Sequence, residues 1–131
     1  MLSELRIQNY ALIEKVVLPL TKGFTVLTGE TGAGKSIIMG ALGLVLGDRA
    51  DTTVLFDKKQ KTVVEALFVQ VLSSDIKQFL TEHDLIGDDT DEILIRRELS
   101  PAGKSRAFIN DIPASLVQLK QLTAMMVNLH R

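Results

Sequence analysis

Eight consecutive residues carry the clearest chemistry in the chain: Gly29-Glu30-Thr31-Gly32-Ala33-Gly34-Lys35-Ser36 fits the pattern G-x-x-x-x-G-K-[S/T]. Glycines at 29, 32 and 34 permit positive φ and close approach of the backbone, so that successive N–H groups turn inward as an anion nest. Lys35 adds a mobile point charge suited to β- and γ-phosphates, and Ser36 a hydroxyl suited to the Mg²⁺ that bridges them. The candidate nucleotide-binding set is therefore Gly29, Glu30, Thr31, Gly32, Ala33, Gly34, Lys35, Ser36 and Ile37, with Ser36 as the candidate Mg²⁺ ligand. The expected ligand is ATP rather than GTP. No N-K-x-D string is present to read guanine, and the D-x-x-G string, Asp84-Leu85-Ile86-Gly87, falls at a predicted helix end.

Phosphate binding is not turnover. Hydrolysis also needs an acid after an apolar strand to hold Mg²⁺, and a group to orient water. Asp57, after Val54-Leu55-Phe56, matches locally, but Lys58 and Lys59 follow where a catalytic Glu would stand, so no catalytic residue is expected within this chain. A second Gly-Lys-Ser at Gly103-Lys104-Ser105 has Glu98 where the first glycine should be and reads as a hairpin turn. The run Asp88-Asp89-Thr90-Asp91-Glu92 lacks the interspersed glycine and distal Glu of a calcium loop and reads as a solvated acidic turn. Arg96, Arg97, Lys104 and Arg106 share one predicted hairpin, but Arg96 and Arg97 are successive strand residues on opposite faces and cannot form one DNA-phosphate patch.

A P-loop works only between a strand and a helix, and the surrounding pattern supplies both. Phe24–Thr28 is a short β-rich run that stops at Gly29, as a buried strand would. From Lys35 onward Ile37, Ile38, Ala41, Leu42, Val45 and Leu46 recur at helical spacing, and Gly47 sits where a helix C-terminal glycine would. Gly40 and Gly43 in that helix each cost about 1 kcal/mol against Ala, which predicts a close packing contact. Before the loop, Leu5 and Ile7 alternate with polar residues and Val16–Leu20 follows a turn, which together predict a hairpin. After it come a strand over Thr62–Val71 and a helix capped by Ser73 or Ser74, carrying Ile76, Phe79 and Leu80 and ended by Gly87. A second hairpin pairs Glu92–Leu99 with Lys104–Asn110 through Ser100-Pro101-Ala102-Gly103. Pro113 then opens a short helix with Leu116, Val117, Leu119 and Leu122, and Met125–Leu129 reads as a final strand.

Length and composition limit the rest. A chain of 131 residues, 46% hydrophobic and 24% charged, is one folded domain of α/β class. It has no cysteine, no apolar run near the roughly 20 residues that span a bilayer, and no signal-peptide pattern at its start, which together predict a soluble intracellular protein without disulfides. A net charge of −1 gives no global pull toward nucleic acid.

The opening Leu5-Arg6-Ile7-Gln8-Asn9-Tyr10-Ala11-Leu12-Ile13-Glu14, then Leu27–Ser36 and Ala41-Leu42-Gly43, resembles the RecN family of bacterial DNA repair proteins, which belongs with the SMC-type ATPases. Leu46-Gly47-Asp48-Arg49-Ala50-Asp51, Val64-Glu65-Ala66, Arg96-Arg97 and Ser105–Asn110 follow in that family's order. The resemblance implies an ABC-type head split in sequence. Residues 1–131 would be its N-terminal lobe, a mixed sheet with the P-loop helix and an antiparallel hairpin layer, ending just before a glutamine loop. A long coiled coil would separate it from a C-terminal lobe that bears the signature and Walker B motifs, so hydrolysis would need that absent lobe. The implied partners are ATP, the C-terminal lobe, DNA through the full-length protein, and a second copy meeting an unfinished sheet edge. The implied setting is the bacterial cytoplasm at the nucleoid, with no membrane. Leu99-Ser100-Pro101-Ala102-Gly103 mimics a signature motif but bridges two strands, and Ala11 stands where related heads often carry a basic residue near the adenine. The competing class is a self-contained nucleotide or nucleoside kinase, for which the Arg96–Arg106 hairpin would have to act as lid.

Overall fold

The structure, a computed structural model, describes residues 2–19, 32–50, 56–69, 73–87 and 91–129, without the side chains of 32–35 and 127–129. The elements in chain order are strands β1 (Leu2–Tyr10) and β2 (Ile13–Pro19), helix α1 (Gly32–Val45), β3 (Thr62–Val69), α2 (Ser74–Glu82), β4 (Glu92–Leu99), β5 (Ser105–Ile109), β6 (Ile112–Ala114) and α3 (Leu116–Leu129). The strands form a sheet in the order β2-β1-β3-β4-β5-β6, with every described pair antiparallel. The strand expected at Phe24–Thr28 lies outside the described residues.

Period-two alternation sets the core. Leu5, Ala66, Ile95 and Ile109 lie in one row across the sheet, and Ile7, Val64, Arg97 and Ala107 in the next, all buried on one face. The three helices cover that face. Ala41, Leu42, Leu44 and Val45 of α1, Ile76 and Leu80 of α2, and Leu119, Leu122 and Met126 of α3 join the strand residues in one apolar cluster. The opposite face carries half-buried mixed residues such as Glu65, Leu67, Leu94, Arg96 and Phe108.

Both predicted hairpins form, and Gly47 takes φ +108 at the end of α1. The second Gly-Lys-Ser is a hairpin turn: Gly103 has φ +89, and its N–H donates to the Ser100 carbonyl at 3.0 Å. Three expectations need correction. Met125–Leu129 is not a strand but the last part of α3, whose buried Leu119, Leu122 and Met126 fall on one helical stripe. Pro113 does not open that helix; it lies in β6, opposite Phe108. The helix starts three residues later, at Leu116, after a capping box in which the Ser115 Oγ accepts the Gln118 N–H and the Gln118 Oε1 accepts the Ser115 N–H, each at 3.0 Å. Nor does Gly87 end α2. Asp84 takes φ +55 and the Leu85 N–H closes on the Leu80 carbonyl at 2.8 Å, so the helix stops at Glu82. The Ser73 cap is as expected, its Oγ accepting the Ile76 N–H.

Candidate nucleotide-binding site

Helix α1 begins at Gly32, inside the P-loop string, and its first turn contains no acidic residue. By helix geometry the leading N–H groups of such a turn have no intrahelical acceptor and carry the positive end of the macrodipole. A lysine there opposes the dipole, so Lys35 is explained by an anionic ligand better than by helix stability. Ser36 is exposed, whereas Ile37 is half-buried and packs against the core. Gly29, Glu30 and Thr31 lie outside the described residues.

The helix is held along its length and at its far end. A Cβ at Gly40 would collide with the Tyr10 hydroxyl and one at Gly43 with the Asp48 carboxylate, which are the close contacts the two glycines predicted. Tyr10 is 8% exposed, and burial raises the pKa of its phenol. At the C-terminus of α1, Arg97 reaches from β4 to donate through Nη1 to the carbonyls of Leu44 and Asp48, each at 2.8 Å, and through Nη2 to the Ser105 Oγ at 2.6 Å. A cation on those last carbonyls complements the negative end of the helix. Burial lowers the Arg97 pKa, and the Asp48 charge opposes that shift. Arg97 is thus the positioning side chain for α1 that sequence reasoning missed. Its strand alternation placed it on the core face, but nothing local told a buried cap from a solvated cation.

Asn9 is a second missed device. With φ +57 and 4% exposure, it aims its Nδ2 at the carbonyls of Asp57, Gln60 and Lys61 at 2.9, 3.0 and 3.3 Å, while its Oδ1 accepts the Asp57 N–H and its carbonyl accepts the Thr62 hydroxyl. Asp57 is therefore a turn residue: its carboxylate accepts the Lys59 N–H at 2.9 Å. Beside this clamp lies a small polar cavity of about 150 Å³, lined by Gln8, Asn9, Glu14, Phe56 and Gln60 among others.

The hairpin cations separate as alternation requires. Arg96 pairs with Glu98 at 3.0 Å and with Asp111, and stacks 4.3 Å over the Phe108 ring, on the face away from Arg97. Burial opposes its charge, but the two carboxylates prevail and its pKa is raised. Both arginines are committed to internal contacts, which leaves Lys104 and Arg106 as the exposed cations of that hairpin. Residues Asp88–Thr90 of the acidic run lie outside the described residues.

Residues 1–129 match the family model described as RecF/RecN/SMC N terminal domain. The DNA repair protein RecN of Vibrio cholerae is 41% identical over 130 residues, covering 99% of this chain and 23% of that protein. RecN of Bacillus subtilis is 34% identical over 131 residues, covering 99% and 22%. The chain thus spans under a quarter of the length of these two relatives. The fold is that of an SMC-type head. A solved structure described as "Structural biochemistry of ATP-driven dimerization and DNA stimulated activation of SMC ATPases" superposes with a TM-score of 0.70 at 24% identity, over 96% of this chain and 79% of that one. The SMC head domain from Thermotoga maritima gives 0.58 at 17% identity, over 92% and 41%. With a fold shared with SMC heads and a family match that runs nearly from end to end, the chain belongs to the RecF/RecN/SMC N-terminal domain family.

Proposed function

We propose that this chain is the ATP-binding lobe of a DNA double-strand break repair and recombination ATPase similar to RecN. The observation that carries this reading is the start of α1 inside the G-x-x-x-x-G-K-[S/T] string, which brings free helix N–H groups and Lys35 to the same end. The glycine-rich backbone from Gly29 to Gly34 cradles the β-phosphate, Lys35 neutralises the β- and γ-phosphates, and Ile37 fixes the helix to the core behind them. Ser36, exposed at that end, is the hydroxyl that would hold Mg²⁺, and the ion, when bound, neutralises charge on the β- and γ-oxygens. The name of these relatives, DNA repair protein RecN, supports the repair role. In the whole protein a C-terminal lobe completes the hydrolytic site, two heads associate on ATP, and DNA is engaged, in the bacterial cytoplasm at the nucleoid. No helix among the described residues is long and apolar enough to cross a membrane.

Calorimetry with ATP and Mg²⁺ tests the site. Removing the Lys35 charge with Lys35→Ala is expected to weaken binding by about 10- to 100-fold, the worth of a charge-assisted contact. Equal affinity for the two chains would refute the assignment.

A further inference from the structure

Helix α3 is fastened to the turn that closes α1. Thr123, 4% exposed, donates its hydroxyl proton to the Leu46 carbonyl at 3.0 Å, across 77 residues of chain. One turn earlier in α3 the Lys120 side chain lies over Gly47, where an added Cβ would come within 2.6 Å of its Cγ. The neighbouring carbonyls are met from elsewhere: Gly43 accepts the Asp48 N–H at 2.9 Å, and Leu44 accepts the Gly47 N–H at 3.2 Å together with Arg97. Thr123 supplies the Leu46 carbonyl with the donor that the end of a helix lacks. The same hydroxyl lies 3.3 Å from the Lys120 carbonyl, an acceptor that a helical threonine commonly uses. With one proton to give, it favours the shorter contact, and it keeps an acceptor in its own helix if α3 moves away. The joint can open without stranding its donor.

We propose that Thr123 is a positioning residue for the nucleotide site, setting the tilt of α1 through the Leu46 carbonyl and so coupling the packing of α3 to ATP affinity. The 14 residues of α1 make a rod of about 21 Å. The Tyr10 hydroxyl bears on it at Gly40, nearer its C-terminus than its N-terminus. A shift of the closing turn is therefore carried, enlarged and in the opposite sense, to the P-loop string at the other end. Misplacement of a site group by about 1 Å can cost about 100-fold in catalysis. The role rests on the nucleotide reading above and adds to it a residue that lies outside the P-loop. By linkage the coupling runs both ways, so ATP must tighten the joint by the factor by which the joint tightens ATP.

Thr123→Val removes the hydroxyl and keeps the branched shape, whereas Thr123→Ser keeps the hydroxyl. In calorimetry with ATP and Mg²⁺, at a temperature where circular dichroism shows each chain folded, the Val variant is expected to bind about 3- to 10-fold more weakly and the Ser variant within about twofold of wild type. A hydroxyl that merely satisfied a buried carbonyl would change the unfolding midpoint and leave ATP affinity unmoved. In the wild type, ATP should also slow amide hydrogen exchange at Gly47, at Asp48 and in α3 around Thr123. Equal ATP affinity for Thr123→Val and wild type, a loss in Thr123→Ser as large as in Thr123→Val, or exchange in α3 indifferent to ATP would each overturn the proposal. The exchange measurement needs only the wild type, so it decides the matter even if Thr123→Val fails to fold. Failure of the nucleotide reading would look different: the wild type would bind ATP no better than Lys35→Ala, and the role of Thr123 would fall with it.

Discussion

The Asn9 side chain closes a loop that lies 48 residues further along the chain. A side-chain amide offers two donor hydrogens and an acceptor oxygen at that point, and Asn tolerates the left-handed backbone the position requires. Asn9→Ala leaves partly buried carbonyls and an N–H without their partner, and should lower the unfolding free energy by about 1 kcal/mol in urea titration. Asn9→Asp should be worse, since it sets a carboxylate against the carbonyls of Asp57 and Gln60. The neighbouring Tyr10 gives a pH signature. Its folded pKa is raised by burial, so its contribution to stability is intact below about pH 10 and is lost as pH rises through the raised value. Tyr10→Phe should remove that alkaline decline, as read from denaturation midpoints at successive pH values. An identical decline in the variant would assign it to other groups.

Among elements, α1 is the one whose placement decides the site, and two side chains fix it to the sheet. Tyr10 touches its middle at Gly40, and Arg97 takes the Leu44 carbonyl of its last turn and the Asp48 carbonyl just beyond it. Gly40→Ala sets two effects against each other: helix propensity favours Ala by about 1 kcal/mol, and overpacking opposes it by about 1–3 kcal/mol. The steric term should win, because the new Cβ meets the hydroxyl of a ring that is itself buried. Net destabilisation is the expected outcome in thermal unfolding. Once the hydroxyl is removed by Tyr10→Phe, the same Gly40→Ala change should become neutral or stabilising. If it costs the same in both backgrounds, the contact is not the reason for the glycine.

At the scale of the whole molecule, the 131 residues hold the proposed phosphate cradle and no Walker B or signature motif, and the local candidate for a Mg²⁺ acid, Asp57, is occupied as a turn residue. The purified chain is therefore expected to release phosphate from ATP no faster than its Lys35→Ala variant in a steady-state assay. Missing transition-state groups each cost powers of ten in rate. Release abolished by Lys35→Ala would show that these residues do contain a catalytic acid, with Asp57 the first to substitute. Two copies of this chain would not change the outcome, because a pair still lacks both motifs.

What was legible in the sequence shares one property, that its cause lies within a few residues. The P-loop is a contiguous string, α1 and α2 announce themselves by spacing and caps, and the two hairpins by alternation around a turn. The misreading at the C-terminus was also local in origin. Met125–Leu129 is an apolar run too short to show its period, and Pro113 drew attention away from the Ser115–Gln118 capping box. Asp84, without glycine's freedom, nonetheless took the left-handed turn that ended α2, because Leu85 could then be buried beside Leu80. Only the tertiary structure decided the rest. Arg97 meets α1 across 53 residues and Asn9 meets its loop across 48, and in each case a polar group is buried because distant backbone carbonyls wait there for a donor. No periodicity encodes such a meeting. It arises when the sheet brings β1, β3 and β4 side by side and leaves α1 only one face on which to lie.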